Sequence, residues 1–152
     1  MTSPNEAIIE SLVEQLESIK QDYPFDYSKI KAEVNEETKI QEFRLIEDAA
    51  TNTTKHHYYN TILIECKRIF AQLSTLEEIL HSKLWEYFKY ESDKRLKNSE
   101  DYRRNIVSHP AWIKLQGFKK QVEIDISYLH HVDKCFSERS FNLQLVAKLL
   151  QG

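Results

Sequence analysis

The chain has 152 residues, 41% of them hydrophobic and 30% charged, with a formal net charge of -3; this supports one domain with a core that needs no disulfide staples and leaves little apolar material for a second. Two glycines and three prolines leave few tight turns, exclude the glycine-rich phosphate loops of nucleotide hydrolases and favour long helices. Cys66 and Cys135 are far apart and form no CxxC, no basic N-terminus precedes an apolar run, and no stretch approaches eighteen apolar residues, so a soluble protein of a reducing cytoplasm is expected.

The first segment, NEAIIESLVEQLESIKQDY, places Ile9, Leu12, Leu16 and Ile19 at spacings of 3, 4 and 3. That is an amphipathic, acidic N-terminal helix within residues 1–24, with Ser3 or Asn5 as its cap and Tyr23-Pro24 as its stop. Ser28 can cap a second long helix over 28–90, whose first apolar residues are Ile30, Val34, Ile40, Phe43 and Ile46. An interruption is expected at 51–57, TNTTKHH, because three threonines and an asparagine lower helix propensity. Then comes the clearest periodicity: Ile62, Cys66, Ile69, Leu73, Leu76, Leu80, Leu84 and Tyr87, a coiled-coil-like seam over more than three heptads.

Residues 91–101, ESDKRLKNSED, are almost devoid of apolar groups and predict a mobile basic loop that reverses the chain. DYRRNIVSHPAW follows as a short helix or turn broken at Pro110. The run Leu115, Phe118, Val122, Ile126, Leu129, Val132, Phe136 then predicts a second long helix over 112–136. Ser137 to Ser140 breaks the pattern, and Phe141, Val146, Leu149 and Leu150 supply a C-terminal helix over 140–150. No strand alternation competes. The fold class is all-α: a single helical domain, 1–152, built as a long antiparallel helical hairpin with flanking short helices. Each stripe of a slender hairpin is covered on one side only, so homo-oligomerisation is expected through Phe118, Val122, Leu129, Phe136, Phe141, Val146 and Leu149.

Charge is distributed unevenly. Residues 1–50 carry 5 basic and 12 acidic side chains, a balance of -7, whereas residues 83–120 carry 10 basic and 5 acidic ones, a balance of +5. Such asymmetry points to an anion-binding face. Within WEYFKYESDKRLKN, residues 85–98, a helical projection from Ile62 at about 100° per residue turns Tyr87 inward and sets Phe88 on a flank. It places Trp85 and Lys67 at about 140° and Lys89 at about 180°, facing away from the seam. An outward tryptophan one turn before a lysine suits single-stranded nucleic acid, since bases stack on aromatic faces and cations neutralise phosphates. The competing reading has Trp85 packing on another subunit or on its own terminal helix.

Other constellations carry less. The adjacent pairs His56-His57 and His130-His131 point about 100° apart on a helix. His131 and Cys135 share a face, but two ligands without a further pair make no structural zinc site. The carboxylates Glu36-Glu37 and Glu77-Glu78 read as solubilising charge, and no nucleophile motif occurs. No catalytic residue, metal or cofactor is assigned, and the chain is expected not to be an enzyme.

The order of these features, a long helix ending in HSKLWEYF, a polar loop, then DYRRNIVSHPAWIKLQGFKKQVEIDISYLHHVDKCFSERSFNLQLVAKLL, resembles the UvsY family of recombination mediators from T-even-like phages. The likeness covers residues 58–150 and extends weakly over 25–57. Lys83, Leu84, Tyr87 and Phe88 look like the family's cation, leucine and aromatic pair at the end of the long helix, and SERSF, with Arg139 and Phe141, is similar to its C-terminal motif. The chain departs from the pattern at Leu143-Gln144, where members carry isoleucine-lysine, and at His81, where members often carry a cation.

The resemblance implies an accessory protein without catalysis or membrane partner: a ring-like homo-oligomer, hexamer or heptamer, acting in the cytoplasm of an infected bacterial host. It would bind single-stranded DNA, help displace the phage single-strand-binding protein and load a RecA-like phage recombinase. The basic span and the resemblance together assign Lys83, Lys89, Lys67 and Arg68 to phosphates, Lys94 and Arg95 to the basic loop beside them, and Trp85 to a stacked base. The rival expectation is a non-catalytic coiled-coil adaptor or structural protein without DNA binding.

Overall fold

The computed structural model describes residues 2–37 and 45–151. Every regular element among them is helical: α1 (Pro4–Gln21), α2 (Tyr27–Glu37), α3 (Leu45–Glu86) continued by a π turn over Tyr87–Glu91, α4 (Ser99–Val107) and α5 (Pro110–Gln151). No described helix is long and apolar enough to cross a membrane. Ile40, Phe43 and the Ile46 side chain, assigned to the second helix by spacing, lie outside the described residues.

The apolar residues are shared between two compact units, one formed by Met1–Tyr23 with Arg68–Glu123, the other by Pro24–Lys67 with Ile124–Gly152. In the first unit α3 and α5 run antiparallel, since Glu77 pairs with Lys119 while His81 further along meets Trp112, ring centroids 5.7 Å apart. Leu73, Leu80, Leu84, Leu115 and Val122 fill the space between them, each at most 2% exposed. α1 closes this unit with Ile9, Leu12 and Leu16. Ser3 is its cap: the hydroxyl accepts from the Glu6 amide at 3.3 Å, and the Glu6 carboxylate accepts from the Ser3 amide at 3.2 Å, with Pro4 opening the first turn. The Asn5 amide and side chain donate to the Glu91 carboxylate at 3.0–3.2 Å, fastening the start of α1 to the end of the π turn.

In the second unit α3 and α5 are again antiparallel, and α2 covers them with Ile30 and Val34. Here two expected breaks are absent. α3 runs unbroken through 51–57, and α5 continues through Ser137 to Ser140, so the expected helices 112–136 and 140–150 are one. The polar groups that lower propensity are used against each other. The Asn52 side-chain amide donates to Ser140 Oγ at 2.5 Å and to the Phe136 carbonyl at 3.5 Å, while Arg139 Nη1 donates to Asn52 Oδ1 at 3.0 Å. Asn52 and Arg139 are 2% and 3% exposed, so these bonds are made away from water, where an unmade one is costly. The His56 ring adds a hydrogen bond between Nε2 and Asp133 Oδ1 and stacks on Phe136.

The seam matches the predicted spacing from Cys66 to Leu84, but both ends shift by one residue: Leu63 replaces Ile62, and Phe88 replaces Tyr87. At the start, a 3.6-residue helix drifts off a strict heptad. At the end, the Ser92 amide reaches back to the Tyr87 carbonyl at 2.9 Å, the wider hydrogen bond of a π turn, and i+4 rather than i+3 recurs on the buried face. Phe88 is therefore core and Tyr87 is half-buried.

Four residues assigned to oligomer contacts are consumed inside the chain. Phe118, Val122, Leu129 and Phe136 are 0–9% exposed, because α1 and α2 cover the stripes that a bare hairpin would leave wet. Phe141, Val146 and Leu149 remain open to solvent.

Candidate nucleic-acid interface

The end of α3, the π turn, residues 92–98 and α4 all belong to the first unit. The non-helical stretch is shorter than the 91–101 expected, since the π turn takes its first residue and α4 starts at Ser99. Asn98 Oδ1 caps α4 by accepting from the Asp101 amide at 2.9 Å, and Asp101 in turn accepts from the Lys97 amide at 3.0 Å. Lys94 bridges this stretch to α4 by donating to Asn105 Oδ1 at 3.0 Å.

Trp85 is not an open platform. Its ring stacks on Tyr102 of α4, centroids 4.3 Å apart and planes 23° from parallel. Of a base, another subunit or the chain's own terminal helix, the last comes nearest: the partner is in the same chain, but in α4, a segment without hydrophobic periodicity that the helical projection could not place. Trp85→Ala is expected to lower unfolding free energy by about 2–3 kcal/mol, with Trp85→Phe recovering more than half, read by urea denaturation. A Trp85→Ala variant as stable as the parent would remove the stack from the fold's support.

The ring left open is Tyr90, 71% exposed, with the Lys89 ammonium 5.2 Å from its centroid. Sequence reasoning passed over Tyr90 because regular α-helical geometry cannot anticipate the π turn that carries it outward. Lys89, Arg95 and Lys97 are exposed and form no ion pair among the described residues. Lys83 is half-buried and faces Glu86 at 3.4 Å. Arg103 pairs with Glu100 at 2.7 Å; the hydrogen bond between them holds the Glu100 carboxyl below its ordinary range and raises the Arg103 guanidinium.

Lys89, Lys94 and Arg95 therefore lie in one unit within a short stretch of chain, with Lys83 on the helix that leads into it. Arg68 lies fifteen residues before Lys83 on α3, about 22 Å along the helix, and Lys67 belongs to the second unit.

Behind the π turn, burial pushes the Tyr87 phenol up, and its hydrogen bond to Glu6 adds to the shift. His109 Nδ1 accepts from the Ala111 amide at 3.1 Å and caps α5 just before Pro110, its ring edge-on to Tyr87 and Phe88. Accepting requires a neutral ring, and burial lowers the His109 pKa. The folded state then binds fewer protons than the unfolded one below about pH 6.5, so this stability is complete above that value and is lost as pH falls toward the lowered pKa. His109→Asn keeps a capping oxygen without titrating. Melting temperatures at about pH 7.5 and pH 5 should fall less on acidification in that variant than in the parent.

What these elements define is a class: an all-α fold of two long helices with short helices packed on them, carrying a basic, tyrosine-bearing turn where the first long helix ends. No family model matches the chain, and no curated protein matches it. Among solved structures it is similar to the crystal structure of the bacteriophage T4 recombination mediator protein UvsY, with a TM-score of 0.73 over 84% of this chain and 98% of that one at 9% sequence identity. At that identity the likeness is one of fold.

Proposed function

We propose that the protein is a recombination mediator of phage type, which binds single-stranded DNA and loads a RecA-like phage recombinase onto strands covered by the phage single-strand-binding protein. It does so without catalysis, as a homo-oligomer in the host cytoplasm. The observation that carries this reading is the exposed Lys89–Tyr90 pair, followed in the chain by Arg95 and Lys97, an aromatic face with cations that form no ion pair among the described residues, on a fold similar to that of the T4 mediator. Bases stack on any aromatic face and phosphates follow the cations, which gives binding without sequence preference. Phe141, Leu149 and Leu150, 65–74% exposed near the end of α5, support self-association. Repetition of one weak site around an oligomer would raise affinity through effective concentration.

The test is binding of a fluorescent single-stranded oligonucleotide against a duplex of equal length, with light scattering on the same samples. Preferential single-strand binding with an assembled particle is expected. Absence of binding at moderate salt from an assembled protein would overturn the DNA role in favour of the adaptor reading.

A further inference from the structure

The pairing of an exposed tyrosine with a lysine over its ring occurs again in the second unit. Tyr27 opens α2 and is 44% exposed, and the Lys31 ammonium one turn later lies 5.7 Å from its ring centroid. The ring is braced from behind: Tyr128 of α5 meets it edge-on with centroids 5.0 Å apart, and the buried Phe25 touches both tyrosines. Asp26, the acid next in sequence, is occupied as a cap, accepting from the Lys29 amide at 3.2 Å. On α5 the same flank continues into His131, exposed and within 3.7 Å of Cys135.

We propose that Tyr27 and Lys31 form a second contact for single-stranded DNA, separate from the π turn, taking one unpaired base on the Tyr27 face and its phosphate on Lys31. This rests on the function proposed above and adds a site to it. A base stacked on an aromatic ring gains more than an exposed ammonium does over the same ring. The base therefore displaces Lys31 from the ring, and the flexible stem carries the ammonium to the adjacent phosphate. Tyr128 and Phe25 keep Tyr27 from turning away, so the ring is oriented before the strand arrives.

The test uses the full chain and a fluorescent oligothymidylate, with Tyr27→Leu, Tyr27→Phe and Lys31→Gln, and Lys89→Ala/Arg95→Ala for comparison. Tyr27→Leu is expected to weaken binding about tenfold and Tyr27→Phe less than about twofold, because stacking needs the ring and not the hydroxyl. Lys31→Gln should lower the slope of log affinity against log salt by about 0.7. Bromodeoxyuridine photocrosslinking of the parent should yield an adduct on the peptide containing Tyr27, a readout that survives if Tyr27→Leu does not fold. Normal affinity and slope in the Tyr27 and Lys31 variants, with loss in the Lys89/Arg95 variant, would overturn this site alone. No binding by the parent would overturn the DNA reading itself. Unchanged DNA affinity with altered self-association in Tyr27→Leu would make Tyr27 a protein contact and likewise overturn the proposal.

Discussion

Replacing Lys89, Lys94 and Arg95 together by alanine is expected to weaken single-stranded DNA binding about 100-fold near 0.1 M salt and to reduce the log-log salt slope by about 2. Each phosphate neutralised on a single strand contributes a slope of about 0.7, which near 0.1 M corresponds to about fivefold in affinity per contact. Lys89 and Arg95 are exposed and outside any ion pair among the described residues, so their charge is available to a phosphate. Lys94 donates to the neutral Asn105 side chain, which orients the ammonium without cancelling it. Lys83→Ala alone should do less, because Glu86 already shares its charge. These side chains are on the surface, and helicity measured by circular dichroism should be unchanged. Retention of the parental slope in the triple variant would move the interface elsewhere.

The largest stability effect is expected at the buried contact between the two long helices of the second unit. Asn52→Ala removes an acceptor from the Arg139 guanidinium and a donor from Ser140 at once, in surroundings where Asn52 and Arg139 are at most 3% exposed. A buried cation that loses part of its hydrogen bonding costs more than the bond contributed, and about 3 kcal/mol of unfolding free energy should disappear. Asn52→Leu combined with Arg139→Met should cost less than Asn52→Ala, since both partners then become apolar together. Urea denaturation of the parent, Asn52→Ala, the single changes Asn52→Leu and Arg139→Met, and the double variant decides this. Simple additivity of the single changes would show that the groups are not coupled.

These two sites also show what the sequence disclosed. Leu73, Leu76, Leu80 and Leu84 were legible because nothing competes with helical periodicity there, and α1 was legible because Ser3, Glu6 and Pro24 are local signals. The continuity of α3 through TNTTKHH was not legible, because the groups that lower its propensity, Asn52 among them, find partners more than eighty residues away. The same pairing hides the continuity of α5 at Ser137 to Ser140. At the candidate interface the cations could be named from composition alone. Which aromatic ring stands open could not: a helical projection assumes a regular turn, and the π turn after Glu86 re-aims every side chain beyond it. Trp85 was a reasonable choice from its angle, but its partner Tyr102 lies in a segment where spacing gives no orientation.

The bond from Asn5 to Glu91 has an electrostatic consequence. Glu91 is the first acid after Lys89, and as a free carboxylate it would repel a strand approaching Tyr90. Instead it accepts from the first turn of α1, where the partial positive charge of a helix start stabilises an anion. Glu86, Glu100 and Asp101 are engaged as well, by Lys83, Arg103 and the Lys97 amide. Four of the five acids in the basic span thus have their lone pairs turned to protein donors, leaving Asp93 as the one carboxylate of that span, among the described residues, without such a bond. A passing polyanion meets a surface whose carboxylates are, in the main, already answered by the protein's own donors.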